Sequence, residues 1–301
     1  MRIVFIGDIM GRSGREALEK YLPEIQERLA PDIVIVNGEN AASGAGITED
    51  ICKQFYKWGT DVITTGNHVW DKREIIPYIG RDKHLLRPLN FPEGTPGHGS
   101  VRFKTKEGET VLVVNAMGRL FMDTLDDPFR KMKDLLANEK LGKTADAIFV
   151  DFHAEATSEK MSFAHYFDGQ ITAVIGTHTH VPTADAQILT KGTAYMSDAG
   201  MSGDYNSVIG VEKEIAIHRF VKKMPGERMQ PARGKGMLCG VLVVTNPKTG
   251  LAQRIAPIRM GLMAVFFAYI GMLADADWML DNALVVVGAT VALIAGKGVL
   301  T

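Results

Sequence analysis

Short apolar runs without polar alternation recur along the first 180 residues of the chain. They are rich in β-branched residues and are typical of strands that are covered on both faces. The six runs are residues 1–6, 32–37, 61–65, 110–115, 147–152 and 171–175. A further strand pair is predicted for residues 235–258, because a turn cluster at residues 246–250 divides that segment.

The segments between the runs have helical character. Residues 14–29 show amphipathic spacing, and Pro23 predicts a kink or break there. Residues 48–58 start with Thr-Glu-Asp, which indicates an N-cap and an acidic first turn. Residues 128–141 and 158–167 have similar patterns. Strands alternating with helices in this way predict a layered α/β fold.

Composition narrows the class of protein. The 301 residues suit one large domain or two small ones. The 34 Lys and Arg residues nearly balance the 35 Asp and Glu residues, so the chain lacks the global positive field of a nucleic-acid coat protein, although a local basic patch is not excluded. Only two cysteines occur, Cys52 and Cys239, which excludes a disulfide scaffold and predicts buried thiols.

Side chains with metal-ligand chemistry follow most of the predicted strands. Ligands bind at the carboxyl ends of strands in open α/β sheets, so we expect these groups to meet at one edge of a sheet. The candidates are Asp8, Glu39, Asn40, Asn67, His68, His153, His178 and His180.

The donor types predict transition metals. Mixed nitrogen and oxygen ligands suit Fe, Mn, Zn or Co better than Mg or Ca. His178 and His180 are two residues apart, so in an extended chain both rings face one site. The candidates other than His68 number seven, which is too many for one ion and suits two ions with a bridging group. Glu39 is a natural bridge, because its carboxylate has two oxygens.

Each candidate alone has an ordinary explanation. A histidine after a strand is usually a surface or hydrogen-bonded residue, and Asp8 can cap a turn. The ordered combination is much harder to obtain by chance: Gly-Asp at residues 7–8, Gly-Asn-His at 66–68, a lone His153, and Gly-Thr-His-Thr-His at 176–180.

This ordered combination resembles the calcineurin-like metallophosphoesterases, and most closely the YmdB-like phosphodiesterases among them. The matching blocks are NGENAA at 37–42, TGNHVWD at 65–71, DFHAEATSEK at 151–160 and GTHTHV at 176–181. The resemblance covers residues 1–260. It implies a four-layer α/β/β/α sandwich, a dinuclear metal centre and hydrolysis of phosphodiesters, with 2',3'-cyclic nucleotides as the substrates of this subgroup.

The resemblance also implies roles for the candidates. One metal would be held by Asp8, Glu39, Asn40 and His180, and the other by Glu39, Asn67, His153 and His178. A hydroxide bridging the metals would attack the phosphate, and His68 would protonate the leaving ribose oxygen. The expected ions are Fe or Mn, with Zn and Co left open. Residues that bind the substrate are not assigned.

One departure from the wider superfamily concerns Met10. The usual first motif is Asp-x-His, whereas this chain has Asp8-Ile9-Met10, and a thioether does not replace an imidazole at such a metal. Asn40 is the candidate for the missing donor, and the YmdB-like subgroup shares this change.

Supporting residues are predicted around these candidates. Asp71 is expected to orient His68 or to cap the next segment, and Asp151 and Asp198 to orient ligand imidazoles. Arg119 is a candidate phosphate clamp, although an exposed arginine is the commoner interpretation, and Glu155 has no assigned role.

Two other functions stay open. One is a phosphomonoesterase or nucleotidase that uses the same dinuclear centre, and the other is a regulator that binds nucleotide without turnover. A nuclease is disfavoured because the sequence has no basic stripe, and we expect no stable nucleic-acid binding. The expected partner is a small-molecule cyclic nucleotide, in a homo-oligomer located in the cytoplasm.

The composition changes near Met260. Two uncharged runs, residues 261–274 and 283–296, flank an acidic stretch and are each shorter than the about 20 residues of a membrane-spanning helix. A membrane hairpin in contact with the inner membrane, a packed helical pair and an appendage outside the family fold are the three interpretations. We therefore expect a catalytic domain at 1–259 and an apolar extension at 260–301.

Overall fold

The computed structural model describes residues 1–224 and 226–261, together with Asn282 and Val285. Residues Met1–Met260 form one compact unit. The strands of this unit form two sheets. The first has the spatial order β11 (Ala252–Met260), β10 (Leu238–Thr245), β1 (Arg2–Ile6), β2 (Ile33–Asn37) and β3 (Val62–Thr64). The second has the order β4 (Ser100–Lys104), β5 (Thr110–Met117), β6 (Ala147–His153), β7 (Ala173–Thr177), β9 (Ala194–Met196) and β8 (Gln187–Ile188).

Four of the six helices in the described residues lie close to the predicted segments, whereas the third and the sixth match none of them. The six helices are α1 (Gly11–Leu29), α2 (Glu49–Trp58), α3 (Ile75–Ile79), α4 (Pro128–Asn138), α5 (Thr157–Tyr166) and α6 (Lys213–Lys222). Thr48 is the N-cap of α2, where its hydroxyl accepts a hydrogen bond from the backbone of Ile51 at 3.4 Å. Helix α1 continues through Pro23 and does not end there.

Three apolar layers hold the sheets and helices together. Phe5 and Phe149 meet between the two sheets, with ring centroids 5.1 Å apart. The other face of the first sheet packs against α1 and α2, through side chains such as Leu18 and Phe55. The other face of the second sheet packs against α4 and α5, and Phe152 stacks on Phe163 at 4.2 Å. This arrangement confirms the four-layer α/β/β/α sandwich.

The expectation of a single sheet edge is wrong. Glu39 follows a strand of the first sheet, whereas His153 ends β6 and His178 follows β7, both in the second sheet. Apolar runs report burial on both faces, and a strand between a sheet and a helix layer is buried as fully as one between two helix layers. The runs therefore could not reveal that the strands belong to two stacked sheets.

The interpretations of the apolar tail fall on residues outside those described. Among the described residues, no helix has the length and apolar character needed to span a membrane. The membrane hairpin, the helical pair, the appendage and the domain boundary at 259/260 stay predictions.

Candidate metal centre

The candidate ligands lie at the carboxyl ends of parallel strands from both sheets or in the loops that follow these strands. β1, β2 and β3 run parallel in the first sheet, and β5, β6 and β7 run parallel in the second. A direct contact joins the loops across the sheets: the backbone N–H of His178 donates to Asp8 Oδ2 at 3.0 Å. The sandwich therefore brings residues that are 170 positions apart into one site.

Two donor clusters share Glu39. One cluster contains Glu39, His153 and His178, and the other contains Asp8, Glu39 and His180. Within each cluster, one ligand atom from every residue lies within 4.8 Å of the others. All are buried except His178, which is partly buried. A carboxylate common to two clusters has the position expected of a bridging ligand.

Two asparagines complete these clusters. Asn67 Oδ1 lies 2.8 Å from His153 Nε2, and Asn40 Oδ1 lies 3.2 Å from His180 Nε2. The Asn40 amide also donates to Gly44 O at 3.1 Å, so its oxygen faces the site. Met10 is 4% exposed and packs where a side chain on Gly210 would otherwise fit. All seven predicted ligands are thus brought together.

Hydrogen bonds fix the tautomer of His153. The Thr177 hydroxyl donates to Asp151 Oδ1 at 2.7 Å, so it accepts from the Nδ1–H of His153 at 2.9 Å. The proton of neutral His153 therefore lies on Nδ1, and Nε2 presents a lone pair to the site. Asp151 acts on this imidazole through Thr177, as the sequence predicted in outline.

The other two ligand histidines are oriented in the same way. His180 Nδ1 donates to the carbonyl of Ile209 at 2.8 Å, which leaves Nε2 as the free donor atom. His178 Nε2 lies 3.2 Å from a carboxylate oxygen of Glu155, which leaves Nδ1 free. Partners of this kind, which hold the second nitrogen of a histidine, are typical of metal sites. Glu155 thereby has a role that the sequence did not assign.

The arrangement fits a cation between the histidines. His178 Nδ1 and His153 Nε2 face each other at 3.1 Å, and the hydrogen bonds above leave a lone pair on each. Such nitrogens repel unless a cation lies beside them. Asp8 Oδ1 is also buried and has no hydrogen-bond partner among the described residues, as expected of a carboxylate oxygen reserved for a metal.

Burial sets the charge of the donors. It raises the pKa of Asp8 to about 8, and the nearby charge of Asp198 adds to this. Burial, followed by the charge of Asp8, raises the pKa of Glu39 well above its usual range. Burial lowers the pKa of His178 to about 4 and that of His153 well below its usual range, so both imidazoles stay neutral as metal ligands must.

His68 lies at the edge of the site and belongs to neither cluster. Its backbone N–H donates to Glu39 Oε2 at 3.3 Å, and its Nδ1 lies 2.9 Å from Asp71 Oδ2. The side chain is 35% exposed. Asp71 therefore orients His68, which is one of the two roles predicted for it, and the Nδ1 proton directed at Asp71 leaves Nε2 for a substrate.

A buried ion pair supports the loop that carries His178 and His180. Both residues have positive φ angles, 94° and 65°, which are unfavourable for a side chain with a Cβ. Asp198 Oδ2 accepts hydrogen bonds from the backbone and the hydroxyl of Thr179, and Lys160 donates to that same oxygen. The prediction that Asp198 orients an imidazole is wrong, because its side chain holds the backbone of the loop instead.

Gly66 explains why a glycine precedes Asn67. A Cβ at this position would lie 2.3 Å from Glu39 Oε2 and 2.4 Å from His153 Nε2. The backbone at Gly66 therefore lies directly against the shared carboxylate, and only glycine leaves room for it.

The remaining candidates lie elsewhere. The Arg119 guanidinium pairs with Asp127 at 3.4 Å, which favours its interpretation as a surface arginine. Cys52 and Cys239 are buried free thiols, as predicted.

The chain is similar in sequence and structure to several known proteins. A family model described as YmdB-like protein matches residues 4–258. A Bacillus subtilis (strain 168) protein named 2',3'-cyclic-nucleotide 2'-phosphodiesterase is 46% identical over 267 residues, which cover 89% of this chain and 100% of that protein. A hypothetical protein from Thermus thermophilus has a solved structure with 45% identity and a TM-score of 0.80, over 86% of this chain and 98% of that one. A structure titled as a novel phosphatase, from Mycoplasma pneumoniae, has 32% identity and a TM-score of 0.81, over 86% and 93% of the two chains.

Proposed function

The chain belongs to the YmdB-like protein family, and we propose that it is a metal-dependent phosphodiesterase that hydrolyses 2',3'-cyclic nucleotides. The observation that carries the proposal is the carboxylate of Glu39, shared by one cluster with Asp8 and His180 and another with His153 and His178. The name of the Bacillus subtilis relative supports the substrate class.

The proposed ligands of two ions are those implied by the resemblance. Asp8, Glu39, Asn40 and His180 would hold one, and Glu39, Asn67, His153 and His178 the other. Mixed nitrogen and oxygen donors favour Fe or Mn, and Zn and Co also suit them. When bound, two such cations lower the pKa of a water and neutralise the charge of the phosphate. The histidines are neutral, and the raised pKa values of Asp8 and Glu39 mean that binding of cations would release protons from these buried carboxyls.

His68 is the proposed general acid. Opening a 2',3'-cyclic phosphate expels a ribose oxygen, which is a poor leaving group unless it is protonated. Asp71 holds the Nδ1–H of His68, so the ring presents Nε2 in a fixed orientation, and its partial exposure allows contact with a substrate. Asp71 is accordingly a positioning residue.

A comparison of leaving groups tests these roles. We expect His68→Ala to keep its metal content while turnover of 2',3'-cyclic AMP falls by about 10²–10⁴-fold, the usual contribution of a general acid. A p-nitrophenyl phosphodiester, whose leaving group needs no proton, should lose far less. His165→Ala, which removes an exposed histidine of α5, is the matched control and should retain both rates.

The substrate class is tested by measuring rates on 2',3'-cyclic AMP, 3',5'-cyclic AMP and AMP with the metal-loaded protein. The proposal expects the 2',3'-cyclic substrate to have the highest kcat/KM. Faster hydrolysis of AMP would instead support the phosphomonoesterase, and absence of turnover on all three would support the nucleotide-binding regulator. The homo-oligomeric state and the cytoplasmic location belong to the same proposal and are tested by size-exclusion chromatography and cell fractionation.

A further inference from the structure

A basic cavity of about 580 Å³ lies outside the two donor clusters. Five cationic side chains line it, and no carboxylate does so among the described residues. The cations are Arg12, Arg15, Lys72, Arg228 and Arg233. They come from three distant parts of the chain, which is why neither the net charge of -1 nor any local run of the sequence reveals them.

Two segments that line this cavity also carry residues of the candidate metal centre. Ser43 lines the cavity from the loop that carries Asn40, and the Asn40 amide holds that loop by donating to Gly44 O at 3.1 Å. Lys72 lines it from the next loop and directly follows Asp71, the partner of His68. The cavity is therefore lined by residues that stand close in sequence to the proposed ligand Asn40 and to Asp71, the partner of the proposed acid His68.

Hydrogen bonds connect a third segment that lines the cavity to His180. Ala232 lines the cavity, and its backbone N–H donates to Gly210 O at 2.8 Å. Ile209, which directly precedes Gly210, accepts the hydrogen bond that orients His180. Arg15 belongs to the same framework, because its guanidinium donates to the carbonyl of Ala41, beside Asn40.

Little of the positive charge in the cavity is neutralised. Among the described residues, the one ion pair of these cations joins Arg12 to Glu16, with side chains 78% and 56% exposed. Exposed pairs of this kind contribute little and leave the guanidinium available for another anion. Arginine forks and a lysine suit phosphate oxygens in particular.

A 2',3'-cyclic mononucleotide has a single phosphate, which the proposed mechanism places at the metal centre. Such a mononucleotide therefore has no further phosphate for the five cationic side chains of the cavity to bind. We propose that this cavity binds the phosphodiester backbone of an oligoribonucleotide whose 3' end carries the cyclic phosphate, so that the preferred substrate is an RNA end. This inference rests on the proposed function. Water adds to the terminal phosphorus, one bond from phosphorus to a ribose oxygen breaks, that oxygen takes a proton, and the RNA ends in a phosphomonoester.

Kinetics of the metal-loaded protein test the inference. We expect kcat/KM for a trinucleotide of adenosine with a terminal 2',3'-cyclic phosphate to exceed that for 2',3'-cyclic AMP by at least tenfold. The triple variant Arg12→Gln, Lys72→Gln, Arg233→Gln should reduce this ratio to near one. The matched control, Lys106→Gln, Lys133→Gln, Lys143→Gln, removes the same charge from exposed positions elsewhere and should keep the wild-type ratio.

A binding measurement provides a readout besides activity. Fluorescence anisotropy with a labelled tetra-adenylate ending in a 3'-phosphate should give weaker binding to the cavity variant. The slope of log affinity against log salt should fall by about 2, since each lost phosphate contact on a single strand contributes about 0.7.

The outcomes separate the two proposals. Equal kcat/KM for both substrates, or a triple variant that keeps the wild-type ratio and salt slope, would overturn the RNA inference and leave the phosphodiesterase standing. Failure to hydrolyse either substrate would overturn both.

Discussion

Lys160 and Asp198 form a buried ion pair at 3.0 Å, with each side chain 1% exposed. The Lys160 ammonium also donates to the carbonyl of Thr177 at 2.8 Å. Asp198 uses its other oxygen to accept from the backbone of Gly200 at 2.8 Å. The pair thus ties the end of β7 to the segment that follows β9, on either side of the loop that carries two candidate ligands.

Removal of one partner should be costly because it leaves a buried charge without compensation. We expect Lys160→Met to lower the free energy of unfolding by about 3–5 kcal/mol. The double variant Lys160→Met, Asp198→Asn should lose less free energy of unfolding than the sum of the two single variants, because it contains no unpaired buried charge. Urea unfolding measures these values, and metal content should fall in the single variants as the loop relaxes.

The control is Arg28→Met, which breaks an exposed pair with Glu24 at 2.8 Å and should cost less than about 1 kcal/mol. A Lys160→Met variant no less stable than this control would show that the pair does not anchor the loop.

The close approach of the Gly66 backbone to Glu39 predicts that a side chain at position 66 would disturb metal binding. Gly66→Ala places a methyl group 2.3 Å from the shared carboxylate of Glu39, so the backbone or the carboxylate must move. We expect a loss of metal affinity of at least tenfold, with the circular dichroism spectrum unchanged. Gly80→Ala is the matched control, since a Cβ there meets nothing within 4 Å. Equal metal affinity in both variants would contradict a site built against Gly66.

Much of the fold follows from local patterns. Strands appear as apolar runs because helices or the second sheet cover both of their faces, and the N-cap at Thr48 is a local hydrogen bond. The apolar runs do not predict the division into two sheets, because burial does not identify the layer that covers a strand. The family resemblance supplied it from the ordered motifs.

The candidate site could likewise be predicted from the sequence only in part. Positions just past strand ends identified the candidate ligands, since the chemistry of each side chain is visible in the sequence. The roles of Glu155 and Thr177 depend on which nitrogen of a histidine faces them, and this is fixed only by the three-dimensional arrangement. Lys160 was hidden for the same reason, because nothing near it in sequence indicates its partner Asp198.

Metal removal should reveal the free-energy cost of ionising the buried carboxyl of Asp8. Burial raises the pKa of Asp8 to about 8, from 3.8 in an unfolded chain. Its contribution to the stability of the metal-free protein is therefore fully present below about pH 4 and is lost as the pH rises towards 8. Asp8→Asn cannot ionise, so we expect metal-free Asp8→Asn to be more stable than metal-free wild type at pH 8.

The difference in free energy of unfolding should grow with pH by up to about 1.4 kcal/mol per pH unit between pH 5 and 7.5. The histidines oppose this trend in each protein, because burial lowers the pKa of His178 to about 4, but their effect cancels in the difference. Added Mn²⁺ should reverse the order of stability, since the variant lacks a ligand carboxylate. A difference independent of pH would contradict the raised pKa of Asp8.

Thr177 connects a buried carboxylate to a candidate ligand, and its hydroxyl is the group that matters. The hydroxyl donates to Asp151 and accepts from His153, so Thr177→Val keeps the shape but removes the acceptor that fixes the tautomer of the imidazole. We expect metal affinity to fall by about 10–100-fold, the usual effect of losing such a partner. Thr177→Ser restores the hydroxyl and should recover most of the affinity, whereas a purely structural role of the methyl group predicts the opposite order for the valine and serine variants. Titration with Mn²⁺, followed by calorimetry, distinguishes the two orders without depending on turnover.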